Sequence, residues 1–359
     1  MSLHFHRLMV REVRQETADC VSVLFAMPEE LKEKFSFTQG QSLTLRAKVN
    51  GEELRRTYSI CSSPLDKEWR VAIKKVEGGL FSNFANSTLK AGDVLEVMPP
   101  VGNFNTPLHS QQTKHYMAFA AGSGITPVLS LIKTTLASES RSTFTLVYGN
   151  RDRQSIIFSE ALEALKNKYM ERFNLVHILS REKTDTVLHA GRINAEKLEA
   201  LKKMVDYAGM DEFFVCGPED MIFSVKDFLE SNGIDKKHVH FELFTTPGQI
   251  RKPAKAFSKK EKPVSASHIT VKLDGRSIDF SMMAGAESSI LDAALQAGAD
   301  LPYACKGGMC CTCKAKLMEG KVEMDVHWGL EEDEIKKGYI LTCQSHPVTD
   351  KVIIDFDNR

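Results

Sequence analysis

Apolar and polar residues alternate along this chain with a period that changes twice. From Phe5 to about Pro100, short apolar stretches recur at residues 8–13, 21–25, 42–49, 54–60, 69–76 and 94–98. Turn residues such as Asn50-Gly51 and Ala91-Gly92-Asp93 separate them. Six strands at this spacing predict a small antiparallel β-barrel. One helical pattern interrupts them, Leu80 to about Ser87, opened by Gly78-Gly79. From His115 to Phe244 the period lengthens. Apolar runs at 116–121, 144–148, 175–179, 213–215 and 239–244 read as buried strands, and helical patterns at 127–136, 159–168, 195–204 and 220–229 lie between them. Strand–helix alternation predicts an α/β, Rossmann-like unit, a parallel sheet with helices on both faces.

A third unit follows a break. Pro247, Pro253 and Pro263 forbid regular structure between Thr246 and about Ser267, and Arg251, Lys252, Lys255, Lys259, Lys260 and Lys262 keep the stretch solvated. From His268 onwards, Asp274-Gly275 joins two strands into a hairpin, and a helix over 289–297 carries Ile290, Leu291, Ala294 and Leu295 on one face up to Gly298. A short acidic helix near 331–335, a strand carrying Cys343 and a last strand at 352–356 complete an α+β unit of β-grasp type. The expected organisation is therefore multidomain: a barrel over 1–108, the α/β unit over 109–245, a linker over 246–267 and the β-grasp unit over 268–359.

Composition narrows the chemistry. The chain has 359 residues, a formal net charge of zero and a near-neutral pI of 7.2, which implies no general affinity for nucleic acid or other polyanions. Residues 1–14 carry charge and no apolar core, so no secretory leader is expected. The longest apolar run, 117–132, is broken by Gly122-Ser123-Gly124 and Thr126-Pro127 and does not read as a membrane span. Eight cysteines without an export signal point to a reducing cytoplasm.

Four of those cysteines carry the sharpest signal. Cys305, Cys310 and Cys313 stand at C-x4-C-x2-C spacing, and Cys343 follows. That is the ligand pattern of a plant-type [2Fe–2S] cluster. Two irons bridged by sulfide need four converging thiolates, and Gly307-Gly308 lets backbone N–H groups approach the sulfur. A zinc knuckle would favour paired C-x2-C units, and only one is present. Cys311 falls outside the spacing and reads as a small buried neighbour, open to oxidation.

The barrel and the α/β unit carry weaker signals that gain by their order. On the strand at 54–60, Arg56, Thr57, Tyr58 and Ser59 place a cation, an aromatic plane and two hydroxyls along one short edge. Ile73 and Lys74 close a neighbouring strand. Gly79, Leu80, Phe81 and Ser82 open a helix whose N–H groups suit a pyrophosphate. Gly122-Ser123-Gly124-Ile125-Thr126-Pro127 puts a glycine turn at the end of the first parallel strand, although it is not a full G-x-G-x-x-G. Ser180-Arg181 would suit a 2′-phosphate, hence NADPH, with Glu182 arguing mildly against it. Cys216-Gly217-Pro218 is a close-approach point suited to a nicotinamide ring. His4-x-His6 and His238-x-His240 have no third ligand nearby in sequence and read as surface or packing histidines.

With these residues in place, the chain resembles the ferredoxin–NADP reductase superfamily over essentially its whole length. Arg56-Thr57-Tyr58-Ser59 is similar to its R-x-Y-S flavin strand, residues 122–127 to its G-x-G-I-x-P motif, and Cys216-Gly217-Pro218 to its C-G-P motif. Glu242-Leu243-Phe244 resembles the acidic–aromatic end of the reductase module. The order of units and the doubled cysteine look most like reductase subunits of multicomponent oxygenases, the phenylacetyl-CoA ring epoxidase of phenylacetate catabolism among them. The resemblance implies an enzyme that passes electrons from NADPH to FAD to the cluster and on to an oxygenase partner. It also implies nicotinamide contacts at Cys216 and Thr126, and reactive-centre roles for Glu242 and Phe244. FMN serves some reductases with this domain order, but the helix after Gly78-Gly79 favours FAD. Two other readings compete: the same electron chain serving a different hydroxylase, dioxygenase or hybrid-cluster protein, and a non-enzymatic iron–sulfur sensor.

Overall fold

The computed structural model describes residues 4–244, 266–283 and 287–358. Six strands form the first sheet: β1 (His6–Thr17), β2 (Cys20–Ala26), β3 (Ser42–Val49), β4 (Glu52–Ser59), β5 (Trp69–Lys74) and, after helix α1 (Leu80–Ser87), β6 (Val94–Val97). Their order is β4-β3-β6-β1-β2-β5, with every pair antiparallel. An Ile60–Val71 bridge brings the two edge strands together and closes the barrel. Alternation drives closure: Leu8 and Val10 are fully buried while Met9 between them is half exposed. Asn50-Gly51 turns β3 into β4 with φ of 52° and 88°, as a tight hairpin requires. Helix α1 buries Phe81 and Ala85 in the barrel core.

The second sheet is wholly parallel. It contains β7 (His115–Ala121), β8 (Thr143–Asn150), β9 (Phe173–Leu179), β10 (Glu212–Gly217) and β11 (Val239–Leu243), ordered β11-β10-β7-β8-β9. Helices α2 (Ile125–Ser138) and α3 (Ser159–Lys168) cover one face; α4 (Ala195–Leu201) and α5 (Glu219–Ser231) cover the other. Strand residues sort accordingly: Tyr116, Ala118 and Ala120 pack under α2, and Met117 and Phe119 under α5. Strand order reverses between β7 and β10, so the ligand crevice is expected at their carboxyl ends. The α2 face also packs on the barrel through Cys61, Ala72 and Phe104, and Ser130 donates to the Ser62 carbonyl at 2.7 Å.

The third unit is a mixed sheet. β12 (Ser267–Leu273) and β13 (Arg276–Met282) form the expected hairpin, with Asp274 and Gly275 at φ of 52° and 70°. Helix α6 (Ile290–Gln296) crosses the sheet. β14 (Lys314–Glu319), β15 (Val322–Met324), α7 (Glu332–Lys336), β16 (Tyr339–Leu341), β17 (Ser345–Pro347) and β18 (Lys351–Asp355) follow. The main sheet runs β13-β12-β18-β14-β16, and β12 pairs in parallel with β18.

Three expectations need correction. Strands β14, β15 and β17 lie where the sequence pattern shows none, because their residues are polar or too few to show a period. Cys343 lies in the turn between β16 and β17, not on a strand. The expected linker lies outside the described residues except at its end, where Ser267 already opens β12.

No helix among the described residues is long and apolar enough to cross a membrane. One buried carboxylate anchors the α/β unit. Glu139, fully buried, accepts from Tyr116 at 3.0 Å, Ser142 at 2.7 Å, Gln112 at 2.9 Å and the His109 N–H at 3.1 Å. Glu139→Ala leaves the buried Tyr116 and Ser142 hydroxyls without their acceptor, and urea unfolding of the holoprotein should show a loss of about 3 kcal/mol.

Candidate functional site at the meeting of three units

Residues from the stretches 56–59, 79–82, 122–127, 242–244 and 305–310 line one cavity of about 280 Å³, while Cys216, Cys313 and Cys343 stand outside its lining; the volume is close to the lower end of ligand sites at roughly 300 Å³. β4 supplies Arg56, Thr57, Tyr58 and Ser59; the stretch from β5 to α1 supplies Lys74, Lys75, Val76, Gly79, Phe81 and Ser82. The parallel sheet adds Ser123, Thr126, Glu242, Leu243 and Phe244, and the third unit adds Ala304, Cys305, Met309 and Cys310. Arg55, Ala72, Lys75, Val76 and Ala304 carry no motif, and sequence reasoning misses them; Met309 lies within the cysteine stretch.

The barrel wall is built for a flat ring with a phosphate tail. Tyr58 tilts against Phe81 at 5.7 Å, giving an aromatic floor. Gly78, at φ +69°, turns the chain into α1, and the Ser82 hydroxyl accepts from the Val76 N–H at 3.0 Å, fixing that turn. Two of the candidates point elsewhere. Ile73 is buried in the barrel core, because strand alternation sends Ala72 and Lys74 to the cavity instead. Leu80 is 43% exposed at the start of α1.

On the side of the parallel sheet the site rests on two interlocked turns, of which Ser123 and Thr126 reach the cavity. A Cβ on Gly124 would stand 2.1 Å from the Cys216 carbonyl oxygen, so only glycine allows this approach. Thr126 donates to the Ser123 carbonyl at 3.0 Å, and Tyr148 to the Gly122 carbonyl at 2.9 Å. Ile125 and Pro127 are buried in α2 and hold the turn from behind. Cys216 is fully buried, and pairing of β10 with β11 places it opposite Glu242. Burial, then the Glu242 charge, pushes its thiol well up. Gly217 and Pro218 lead on into α5. Glu242 itself is pushed up to about 7, by burial first and then by Cys310, against the opposing hydrogen bond that Ser59 donates at 3.2 Å. Phe244 closes the cavity, 37% exposed. Ser180 and Arg181 lie away from this cavity, at the end of β9, both exposed. Glu182 is engaged by Arg153, through the backbone N–H at 2.8 Å and the guanidinium at 3.3 Å.

The cluster cysteines meet in the third unit. Cys305 faces Cys310, Cys313 faces Cys343, and each pair feels the charge of the other. Cys305 is pushed well up, first by its hydrogen bond with Cys310, and Cys343 likewise by Cys313. Two thiol pairs side by side, with Cys310 brought down to about 6 first by its hydrogen bond with Cys305, fit a cationic iron centre. Gly307 donates its N–H to the Cys305 sulfur at 3.3 Å. Cys311 is turned away by a left-handed φ of 55° and donates to the Gly329 carbonyl at 2.7 Å.

The histidine pairs are accounted for by packing and ion pairs. His4 meets Asp274 at 3.2 Å, and His6 packs edge-on to Phe35. His240 and His238 both approach the buried Glu212, at 3.1 and 3.5 Å, and Lys114 holds its other oxygen at 2.7 Å.

A closed antiparallel barrel, a parallel α/β sheet and a cysteine loop that line one cavity together define an electron-transferring flavin and iron–sulfur oxidoreductase. The chain belongs to the ferredoxin reductase family. The Oxidoreductase FAD-binding domain matches residues 7–106, the Oxidoreductase NAD-binding domain 119–227 and the 2Fe-2S iron-sulfur cluster binding domain 271–348. The chain is 46% identical over 357 residues to a component of the 1,2-phenylacetyl-CoA epoxidase of Escherichia coli (strain K12), covering 99% of this chain and 98% of that protein. It is 36% identical to the ferredoxin reductase component of 3-ketosteroid-9-alpha-monooxygenase from Rhodococcus rhodochrous, covering 97% and 96%. Among solved structures, phthalate dioxygenase reductase shares the fold across 98% of both chains, with a TM-score of 0.58 at 23% identity. The chain is accordingly a reductase component of the kind that serves multicomponent oxygenases, with FAD, NAD and 2Fe-2S domains.

Two tests follow from this geometry. Cys343→Ser should abolish the electron paramagnetic signal of the reduced cluster while the flavin still bleaches with reduced nicotinamide nucleotide; Cys311→Ser should keep both. Glu242 carries a second expectation. Because its folded value lies above the ordinary 4.5, the protonated carboxyl favours folding below that pH, and this stabilisation is lost as pH rises through about 7. Glu242→Gln should therefore gain on wild type in urea midpoint between about pH 5 and 8, by the equivalent of about 1–3 kcal/mol.

Proposed function

We propose that this reductase draws electrons from NADPH and delivers them to an oxygenase that epoxidises the ring of phenylacetyl-CoA. The observation that carries the reading is the shared cavity, which Arg56-Thr57-Tyr58-Ser59 and the cluster loop line together. The 46% identity over nearly the whole chain supports the choice of partner.

Bound FAD accepts a hydride and releases electrons singly, and the cluster carries one electron at a time. The chain's own residues do the positioning. Arg56 neutralises phosphate, Tyr58 and Phe81 hold the ring system, and the α1 N-terminus receives the pyrophosphate. Thr126 orients the nicotinamide at the cavity's edge, beside Phe244, and the buried Cys216 supports that turn through its close contact with Gly124. Ser59 and Glu242 hold a proton next to the reacting ring. Cys305, Cys310, Cys313 and Cys343 ligate iron. None of these residues touches the oxygenase substrate.

Arg181 is the 2′-phosphate ligand in this reading, with Ser180 beside it. Among the described residues no hydrogen bond or ion pair engages its guanidinium, and Arg153 neutralises the adjacent Glu182. Arg181→Ala should raise KM for NADPH about tenfold and leave KM for NADH unchanged, measured by steady-state reduction of ferricyanide. Eight unpaired cysteines support a reducing, cytoplasmic setting.

The deciding experiment follows NADPH consumption by the FAD- and cluster-loaded protein, with and without the oxygenase from the same cell and phenylacetyl-CoA. Oxidation that rises only with both, with epoxide formed in proportion, is the expected result. Reduction of cytochrome c without substrate-dependent coupling would assign a different acceptor.

A further inference from the structure

We propose that Arg55 seats the iron–sulfur unit against the flavin cavity, as a positioning residue for electron transfer from flavin to cluster. This rests on the reductase reading above.

Arg55 stands on β4, immediately before the flavin-strand motif, and is 9% exposed. Its guanidinium lies over the Tyr303 ring at 4.3 Å, with the Phe5 ring on its other flank at 5.2 Å. Its edge donates to Glu53 at 3.0 Å and to the Leu301 carbonyl at 3.5 Å, and it approaches Asp300 at 3.7 Å. Lys306 of the cluster loop stands 4.9 Å from the Tyr303 ring. Tyr303 is two residues from Cys305, which lines the cavity. One planar cation thus links the strand that builds the flavin wall to the root of the cluster loop.

Other contacts across the seam are dispersed. Thr44 and Thr312 share a hydroxyl hydrogen bond at 3.3 Å, Asn103 donates to Glu334 at 2.9 Å, the exposed His4 pairs with Asp274 at 3.2 Å, and Met309 and Trp328 pack on the α/β core, Trp328 meeting Phe223 of α5 at 6.3 Å. Beside them the seam opens into a second cavity of about 230 Å³. Lys226, Lys236 and Lys237 face Glu331 and Glu332 across it, and no ion pair crosses it among the described residues. The interface is therefore not sealed by a continuous apolar core, and a buried stacked arginine is its strongest specific contact. A lysine would keep the charge but not the plane.

The step served moves one electron from NADPH-reduced flavin to the oxidised cluster; no atom is transferred and no other reductant is needed. Seating sets the distance for that step and leaves hydride transfer alone. Arg55 also borders the flavin cavity, so Tyr303→Leu, outside that lining, separates seating from flavin binding.

The test uses the full chain loaded with FAD and cluster, as wild type, Arg55→Met, Arg55→Lys, Tyr303→Leu and the Arg55→Met/Tyr303→Leu double variant. Seating is read by acrylamide quenching of tryptophan fluorescence. The chain has two tryptophans: Trp69 is 9% exposed in the barrel, and Trp328 lies at the seam. Electron transfer is read by rapid mixing with NADPH, following flavin bleaching and the cluster signal separately. All four variants should show increased quenching and cluster reduction slowed about tenfold or more. Tyr303→Leu should keep the wild-type rate of flavin bleaching, and the double variant should be no worse than Arg55→Met. Wild-type quenching and cluster reduction in both Arg55→Met and Tyr303→Leu would overturn the proposal, as would an additive double variant. Failure of NADPH to bleach the wild-type flavin would instead overturn the reductase reading, and the seating role with it.

Discussion

Cys305, Cys310, Cys313 and Cys343 stand as two hydrogen-bonded thiol pairs, and in Cys305 and Cys343 the partner sulfur, then burial, opposes ionisation. Bound iron would be the counter-charge that lets such thiols ionise together, and the loop around them is tightly shaped. Lys306 and Cys311 adopt left-handed φ, at 50° and 55°, to wrap the loop. Gly308 and Gly329 are pressed so closely by Val326 and by the Met309 carbonyl that a Cβ would stand 2.7 and 2.3 Å from them. The wall that closes over the loop, residues 326–330, is tied by a hydrogen bond from the Gly329 N–H to the Gly308 carbonyl at 2.9 Å. Metal binding and folding are coupled in such a site, since the ligands converge only when the chain is folded.

The same loop completes a cavity that the other two units leave open. The barrel contributes an aromatic floor and cations, the parallel sheet contributes Glu242 and the interlocked turns, and the third unit closes the end with Met309 and two ligand cysteines. Glu242, Met309 and Cys310 border the seam cavity as well, so they stand between the two cavities. Cys305 and Cys310 line the flavin cavity themselves. Its shape depends on packing between units that mixes apolar contacts, such as Cys61 and Phe104 under α2, with polar ones, such as Thr44 with Thr312.

Much of the site is legible in the chain because its signals are local. Asn50-Gly51 and Asp274-Gly275 make their turns through their own backbone preferences. Cysteine spacing follows from loop geometry over nine residues, and the flavin strand presents alternate side chains wherever it is placed. Ile73 shows the limit of this. Its place beside Lys74 makes it a candidate for the cofactor, yet the barrel's register turns it to the core and gives the cavity Ala72 and Lys74. Strands β14, β15 and β17 escape detection for a related reason, being short or polar and existing through their partners.

Local sequence specifies three units in order, their strand and helix periods, four ligand cysteines and the motif residues of a flavin and nicotinamide enzyme. Each of these depends on neighbours within a few turns of chain. Long-range packing alone establishes that Arg55 stacks on Tyr303 near Leu301, 246 positions away from it. It also gathers Lys114, His238 and His240 around Glu212, and fits Gly124 under the Cys216 carbonyl. Such contacts join segments with no periodic relation, and they form only where the fold brings those segments together.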